Sequence, residues 1–103
     1  MVVAVSCPVV LFHITSREAW TAAQASGVYT QPGPFIHLST PAQWRTTLDR
    51  FYGGVPDLVL LELEPAGLDV RFEPADDDMF PHLYGVLPVT AVVAVHDLTE
   101  RAS

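Results

Sequence analysis

From Val9 to Ile14 the chain is a run of β-branched and aromatic residues that reads as a strand, with His13 on the Val9/Leu11 face and Phe12 and Ile14 on the other. Thr15 then opens a helix, because Glu18 stands three residues on as in a capping box. Trp20 and Ala23 mark one side of this helix, and Gly27 suits the position just past its end. Gln31-Pro32-Gly33-Pro34 reads as a loop. Phe35 to Ser39 forms a second short strand, with Phe35, His37 and Ser39 on one face and Ile36 and Leu38 on the other. Thr40-Pro41 opens a second helix: threonine as N-cap, proline at the first helical position, Gln43 closing a capping box. Trp44, Leu48, Phe51 and Tyr52 recur at helical spacing and predict one packed face.

After Gly53-Gly54 the pattern changes. Leu58 to Leu63 is a nearly continuous apolar run, as expected of a buried central strand. Val70 to Glu73 reads as a short strand, Pro74 to Pro88 as mostly irregular, and Val89 to Val95 as a closing strand. The order β-α-β-α-β-β-β predicts a single α+β domain over residues 1–103, with both helices early and most strands late.

Composition narrows what such a domain does. Half of the 103 residues are hydrophobic and 17% are charged, so a packed core is expected rather than disorder. The formal charge is −7, and all five cations are arginines. Without lysine there is neither Schiff-base chemistry nor a phosphate-binding lysine, and scattered arginines argue against nucleic-acid binding. The apolar start, Met1 to Phe12, has no basic region or small-residue cleavage site and is too short to span a bilayer. The expectation is therefore a cytoplasmic protein that does not engage membranes. Cys7 is the single cysteine, which leaves no internal disulfide and no paired-cysteine zinc site; it reads as inert.

Chemistry concentrates on the histidines. Three of the four sit in aromatic-flanked segments: Leu11-Phe12-His13-Ile14-Thr15, Phe35-Ile36-His37-Leu38-Ser39-Thr40 and Phe80-Pro81-His82-Leu83-Tyr84-Gly85. The first two lead directly into helix N-termini, where a ligand anion would meet unpaired N–H groups. His37 and Ser39 share a face and can serve one pocket. Taken singly, each histidine also reads as a half-buried strand residue bonded to a carbonyl. Glu73 shares a face with Arg71, placed either to stabilise positive charge in a substrate or to stand as a solvated edge residue. Asp76-Asp77-Asp78 reads as a solvated acidic loop, since three adjacent carboxylates do not converge on one ion. No metal is expected.

These segments, with Pro56-Asp57-Leu58-Val59-Leu60-Leu61 and Arg71-Phe72-Glu73-Pro74, resemble the bacterial domain of unknown function 952 family over about residues 10–98. The resemblance implies a fold similar to the ADP-ribosyltransferases, an α+β core with a mixed split sheet whose cleft takes NAD in active members. It implies that His13 stands where a polar residue contacts the nicotinamide ribose, and that Ser39 lines the nicotinamide site. Glu73 would stabilise an oxocarbenium-like charge, with His37 as its catalytic companion on a ribose or phosphate. Thr40, His82, Tyr84 and Arg17 complete the binding set. His37-Leu38-Ser39 also looks like a strand segment of RNA 2′-phosphotransferases. The expected function is binding of NAD or a related ADP-ribosyl ligand, with transfer or hydrolysis at the nicotinamide bond. The alternative is a catalytically inactive ligand-sensing or protein-interaction module.

Overall fold

The computed structural model describes residues 10–75 and 77–98; Cys7, Val9, Asp76 and Arg101 lie outside the described residues. In chain order the elements are β1 Leu11–Ser16, α1 Arg17–Ser26, β2 Val28–Tyr29, β3 Ile36–His37, α2 Trp44–Phe51, β4 Leu58–Leu63, β5 Asp69–Ala75, β6 Asp78–Tyr84, β7 Leu87–Pro88 and β8 Val92–Asp97, with a 3-10 turn over Val89–Ala91. They form three sheets, ordered β1-β4-β8, β2-β7 and β3-β6-β5.

The apolar run at Leu58–Leu63 is the central strand of the first sheet, and it is apolar because both of its faces are covered. On one side Leu11, Val59, Leu61 and Leu63 pack with Trp20 and Ala23 of α1 and with Ile36, Leu38 and Leu83 from the β3-β6-β5 sheet. On the other, Phe12, Ile14, Leu58 and Leu60 pack with Leu48 of α2, flanked by half-buried Trp44 and Tyr52. Phe51, the remaining member of the predicted α2 face, is exposed.

Three expectations are corrected. The sheets are not mixed: every strand pair among the described residues is antiparallel. Parallel pairing needs a crossover that returns the chain in the same direction, whereas each connection here brings it back in the opposite sense. The stretch Pro74 to Pro88 is not irregular but supplies β6, the middle strand of the third sheet. Its prolines disguise it. Leu38 N–H donates to the Pro81 carbonyl at 2.9 Å, so the bare Pro81 nitrogen faces the β3 side, where regular pairing has just ended at His37. Finally, Val89 to Val95 is a 3-10 turn followed by β8 rather than one strand.

Both helix starts lie downstream of where the sequence puts them. Ser16, not Thr15, caps α1: its Oγ accepts the Ala19 N–H at 3.0 Å, while Thr15 Oγ1 is drawn inward to Tyr29. Gln43 reaches back to the Thr40 N–H at 3.0 Å as in a capping box, yet residues 41–43 form a turn and regular helix begins at Trp44. The α1 terminus is as predicted. Gly27 adopts φ 91°, a left-handed conformation open to glycine, and returns its N–H to Ala23 O at 2.7 Å. Ser16→Ala should lower stability by about 1 kcal/mol, the usual value of a serine cap. Urea denaturation followed by circular dichroism checks this; an unchanged midpoint would move the cap elsewhere.

Candidate functional site

Strict alternation along β3, β5 and β6 divides their sheet into an apolar and a polar side. Ile36, Leu38 and Leu83 point into the core. The opposite face carries Phe35, His37, His82, Tyr84, Arg71 and Glu73, because His37 and Arg71 both stand directly across from His82 in the register. His37 and His82 of this polar face, Ile14 of β1, Thr47 and Phe51 of α2, Tyr52 and Gln31 enclose a cleft of about 370 Å³. Ser39, Phe80 and His82 line it from the sheet. Its volume lies within the range of small-molecule sites, about 300–1,000 Å³.

His82 is the most constrained polar group there, with its residue 4% exposed. Its Nδ1 lies 2.8 Å from Glu73 Oε1, and the Tyr84 hydroxyl donates to that same oxygen at 2.7 Å. Hydrogen bonds from Tyr84 and then His82 hold the Glu73 carboxyl below its ordinary range, so it is ionised and accepts. His82 Nδ1–H is therefore the donor to Glu73, and in the neutral form of the ring Nε2 presents a lone pair. Nε2 is buried and has no hydrogen-bond partner. Phe35 stacks on the imidazole at 3.9 Å with 14° between planes, and the His37 ring meets it edge-on at 5.4 Å. Partial burial, and then the neighbouring His82, lower the basicity of His37.

A second polar chain runs beneath the cleft. His13 is buried on β1, with Nδ1 2.6 Å from the His37 carbonyl and Nε2 2.9 Å from the Tyr29 hydroxyl. A carbonyl only accepts, so the His13 proton is on Nδ1 and Tyr29 donates to Nε2. Thr15 Oγ1 stands 2.9 Å from the same hydroxyl. His13 thus fixes the β3 backbone at His37 but does not line the cleft.

The structure brings His37, Ser39 and His82 to the cleft wall, with Glu73 and Tyr84 acting through His82. It leaves three predicted binding residues elsewhere. His13 belongs to the buried chain just described. Arg17 pairs with Asp57 at 2.9 Å and Asp97 at 2.8 Å, and its N–H bonds the Asp57 carbonyl, so the start of α1 is occupied by the protein's own groups. Thr40 is spent on the turn before α2 and is not a lining residue. Glu73 is likewise aimed at His82 and Tyr84 rather than at the cleft, which makes it a positioning residue. Gln31, Thr47, Phe51, Tyr52 and Phe80 were not named as site residues from the sequence, which read Phe51 and Tyr52 only as part of a packed helix face, although the face shared by Phe35, His37 and Ser39 was the signal pointing to this wall. Among the described residues no three histidine, cysteine, aspartate or glutamate side chains group to hold a metal. No described helix is long and apolar enough to cross a membrane.

Fold and site together define a small antiparallel α+β domain with a ligand-sized cleft and a glutamate-bonded histidine in its wall. The chain belongs to the family described as "Protein of unknown function (DUF952)", which matches residues 14–95. The crystal structure of protein CC0527 from Caulobacter crescentus is similar, with 35% identity over 85% of this chain and 84% of that one and a TM-score of 0.79. Its solution NMR structure matches at 34% identity over 85% and 83%, with a TM-score of 0.76. Among curated proteins nothing matches. The ADP-ribosyltransferase comparison finds no support in these likenesses.

The buried chain makes stability depend on pH. Burial lowers the His13 pKa to about 4, against ~6.5 in an unfolded chain. Between those values the unfolded chain binds a proton that the folded one refuses. Stability is therefore complete above about pH 6.5 and falls as the pH drops towards 4, by on the order of 3 kcal/mol. The carboxyls of Glu73, Asp69 and Asp78, all lowered by their hydrogen bonds, add their losses at still lower pH. Urea unfolding at pH 7 and pH 4.5 should show the difference for the wild type, and His13→Gln should remove most of it. An equal difference in the variant would assign the pH sensitivity to other groups.

Proposed function

We propose that the cleft binds the nicotinamide riboside portion of an NAD-class ligand, with His82 Nε2 accepting a hydrogen bond from a ligand hydroxyl. One observation carries the reading: a buried imidazole nitrogen without a partner, in a cleft wall, on a ring whose other nitrogen donates to a carboxylate. Leaving such a nitrogen unsatisfied is unfavourable by about 1–3 kcal/mol, and a ligand donor recovers that energy. The aromatic part of the wall, Phe80, Phe51 and Tyr52, suits a flat ring. No arginine is among the described lining residues, so a pyrophosphate would project from the mouth into solvent.

A second reading follows from the Glu73–His82 pair, which has the form of an oriented general base. In it, His82 takes a proton from water as the water oxygen bonds to the ribose anomeric carbon. The bond from that carbon to the ring nitrogen breaks, and nicotinamide leaves as a neutral molecule. Among the described lining residues there is no carboxylate, which favours binding without turnover over this reaction.

Calorimetric titration separates the possibilities. NAD and nicotinamide riboside should bind with similar affinity, and ADP-ribose, which lacks the ring, more weakly. His82→Ala should weaken nicotinamide riboside about tenfold, equivalent to ~1.4 kcal/mol. Binding of none of the three, or an unaltered affinity in His82→Ala, would overturn the reading. Chromatographic detection of released nicotinamide from NAD, abolished by His82→Ala, would select the hydrolytic alternative.

A further inference from the structure

Gln31 lines the cleft, and its side-chain Oε1 is placed 3.2 Å from the Tyr29 hydroxyl. A glutamine amide fits the same space either way round, so the protons around Tyr29 decide which end meets the hydroxyl. His13 Nδ1 must donate to the His37 carbonyl, which leaves Nε2 as an acceptor. The single proton of Tyr29 therefore goes to His13. Thr15 stands 2.9 Å from the Tyr29 oxygen, and with the tyrosine proton committed, the threonine hydroxyl must be the donor. Tyr29 then has no proton left for Gln31. Turned with its oxygen inward, the amide would set two oxygens face to face with no hydrogen between them. Turned with its nitrogen inward, it donates to the remaining lone pair of Tyr29.

The geometry points to Gln31 as a specificity residue: Tyr29 holds its N–H, so its carbonyl oxygen faces the cleft and selects ligands that bring a hydrogen-bond donor. The inference rests on the reading of the cleft as a nicotinamide riboside site and deepens it. With His82 Nε2 the cleft then holds two oriented acceptors. A ligand bearing a carboxamide or hydroxyl satisfies them, whereas a carboxylate in the same place meets lone pairs with lone pairs.

Two measurements test this. In 15N-edited NMR of the protein alone, one Gln31 side-chain amide proton should exchange slowly and show an Overhauser contact to the Tyr29 ring. Tyr29→Phe should abolish that protection. Two rapidly exchanging protons without the contact in the wild type overturn the orientation, whether or not the variant folds. In calorimetry, nicotinamide riboside should bind at least about tenfold more tightly than nicotinic acid riboside, and Gln31→Met should bring the two within about twofold. An equal or reversed preference in the wild type, or a preference that survives Gln31→Met, overturns the specificity role. Binding of neither riboside overturns the reading of the cleft and the selectivity with it, while the NMR result still decides the orientation of the amide.

Discussion

The bond from His13 Nδ1–H to the His37 carbonyl crosses from β1 to β3 and ties the first sheet to the one that carries the cleft wall. One edge of β1 is paired with β4 over the whole strand. On the other edge the same strand meets the chain just beyond β3 through the reciprocal 2.8 Å bonds of Phe12 and Ser39, next to the histidine. The join is narrow, and a neutral imidazole is at its centre. It must stay neutral for the arrangement beyond it to hold, because Nε2 accepts the tyrosine proton. Charging the ring would turn that acceptor into a donor, and Tyr29 would have to send its own proton elsewhere. The depressed basicity of His13 is thus the electrostatic expression of an architectural role.

The two histidines that matter most divide the work by tautomer. Both carry their proton on Nδ1, but different partners put it there: a backbone carbonyl for His13, an ionised carboxylate for His82. The first ring spends its other nitrogen on the fold, whereas the second leaves its other nitrogen buried and without a partner. Phe35 and Tyr84 serve the second ring without lining the cleft, one by stacking and the other by sharing its carboxylate. Arg71, forked onto Asp69 and lying over Tyr84 at 4.3 Å, is absorbed by the same sheet face.

Much of this was readable in the residues. The central strand at Leu58–Leu63 was legible to its ends because burial on both faces writes an unbroken apolar run. The alternation of β1 and β3 was legible because each face meets a different environment, and Gly27 because few other residues take its backbone angle. What escaped depended on distant partners. Thr15 and Ser16 are equally good caps locally; only Tyr29, fourteen residues from Thr15, decides between them. β6 was hidden by proline propensity, which the sheet overrides at one position. His13 looked like a ligand contact because it shares its flanking pattern with His37 and His82. Nothing local separates a histidine that faces a cleft from one that faces a carbonyl on another strand. Gln31 gave no signal at all, since a polar residue before Pro-Gly-Pro is what any loop contains.

Pro81 has a consequence that reaches past its own strand. Leu38 gives its N–H to the Pro81 carbonyl, and proline has no proton with which to return the bond. The ladder between β3 and β6 therefore ends open, and one residue later the chain gives both of its backbone groups to Phe12 of the other sheet. A missing amide hydrogen thus makes Leu38–Ser39 a junction rather than a continuation: the strand leaves one sheet to join another, and the recess at the changeover is lined by Ser39. In this protein an imino acid sets where a sheet stops growing, and the ligand-sized hollow opens at that stop.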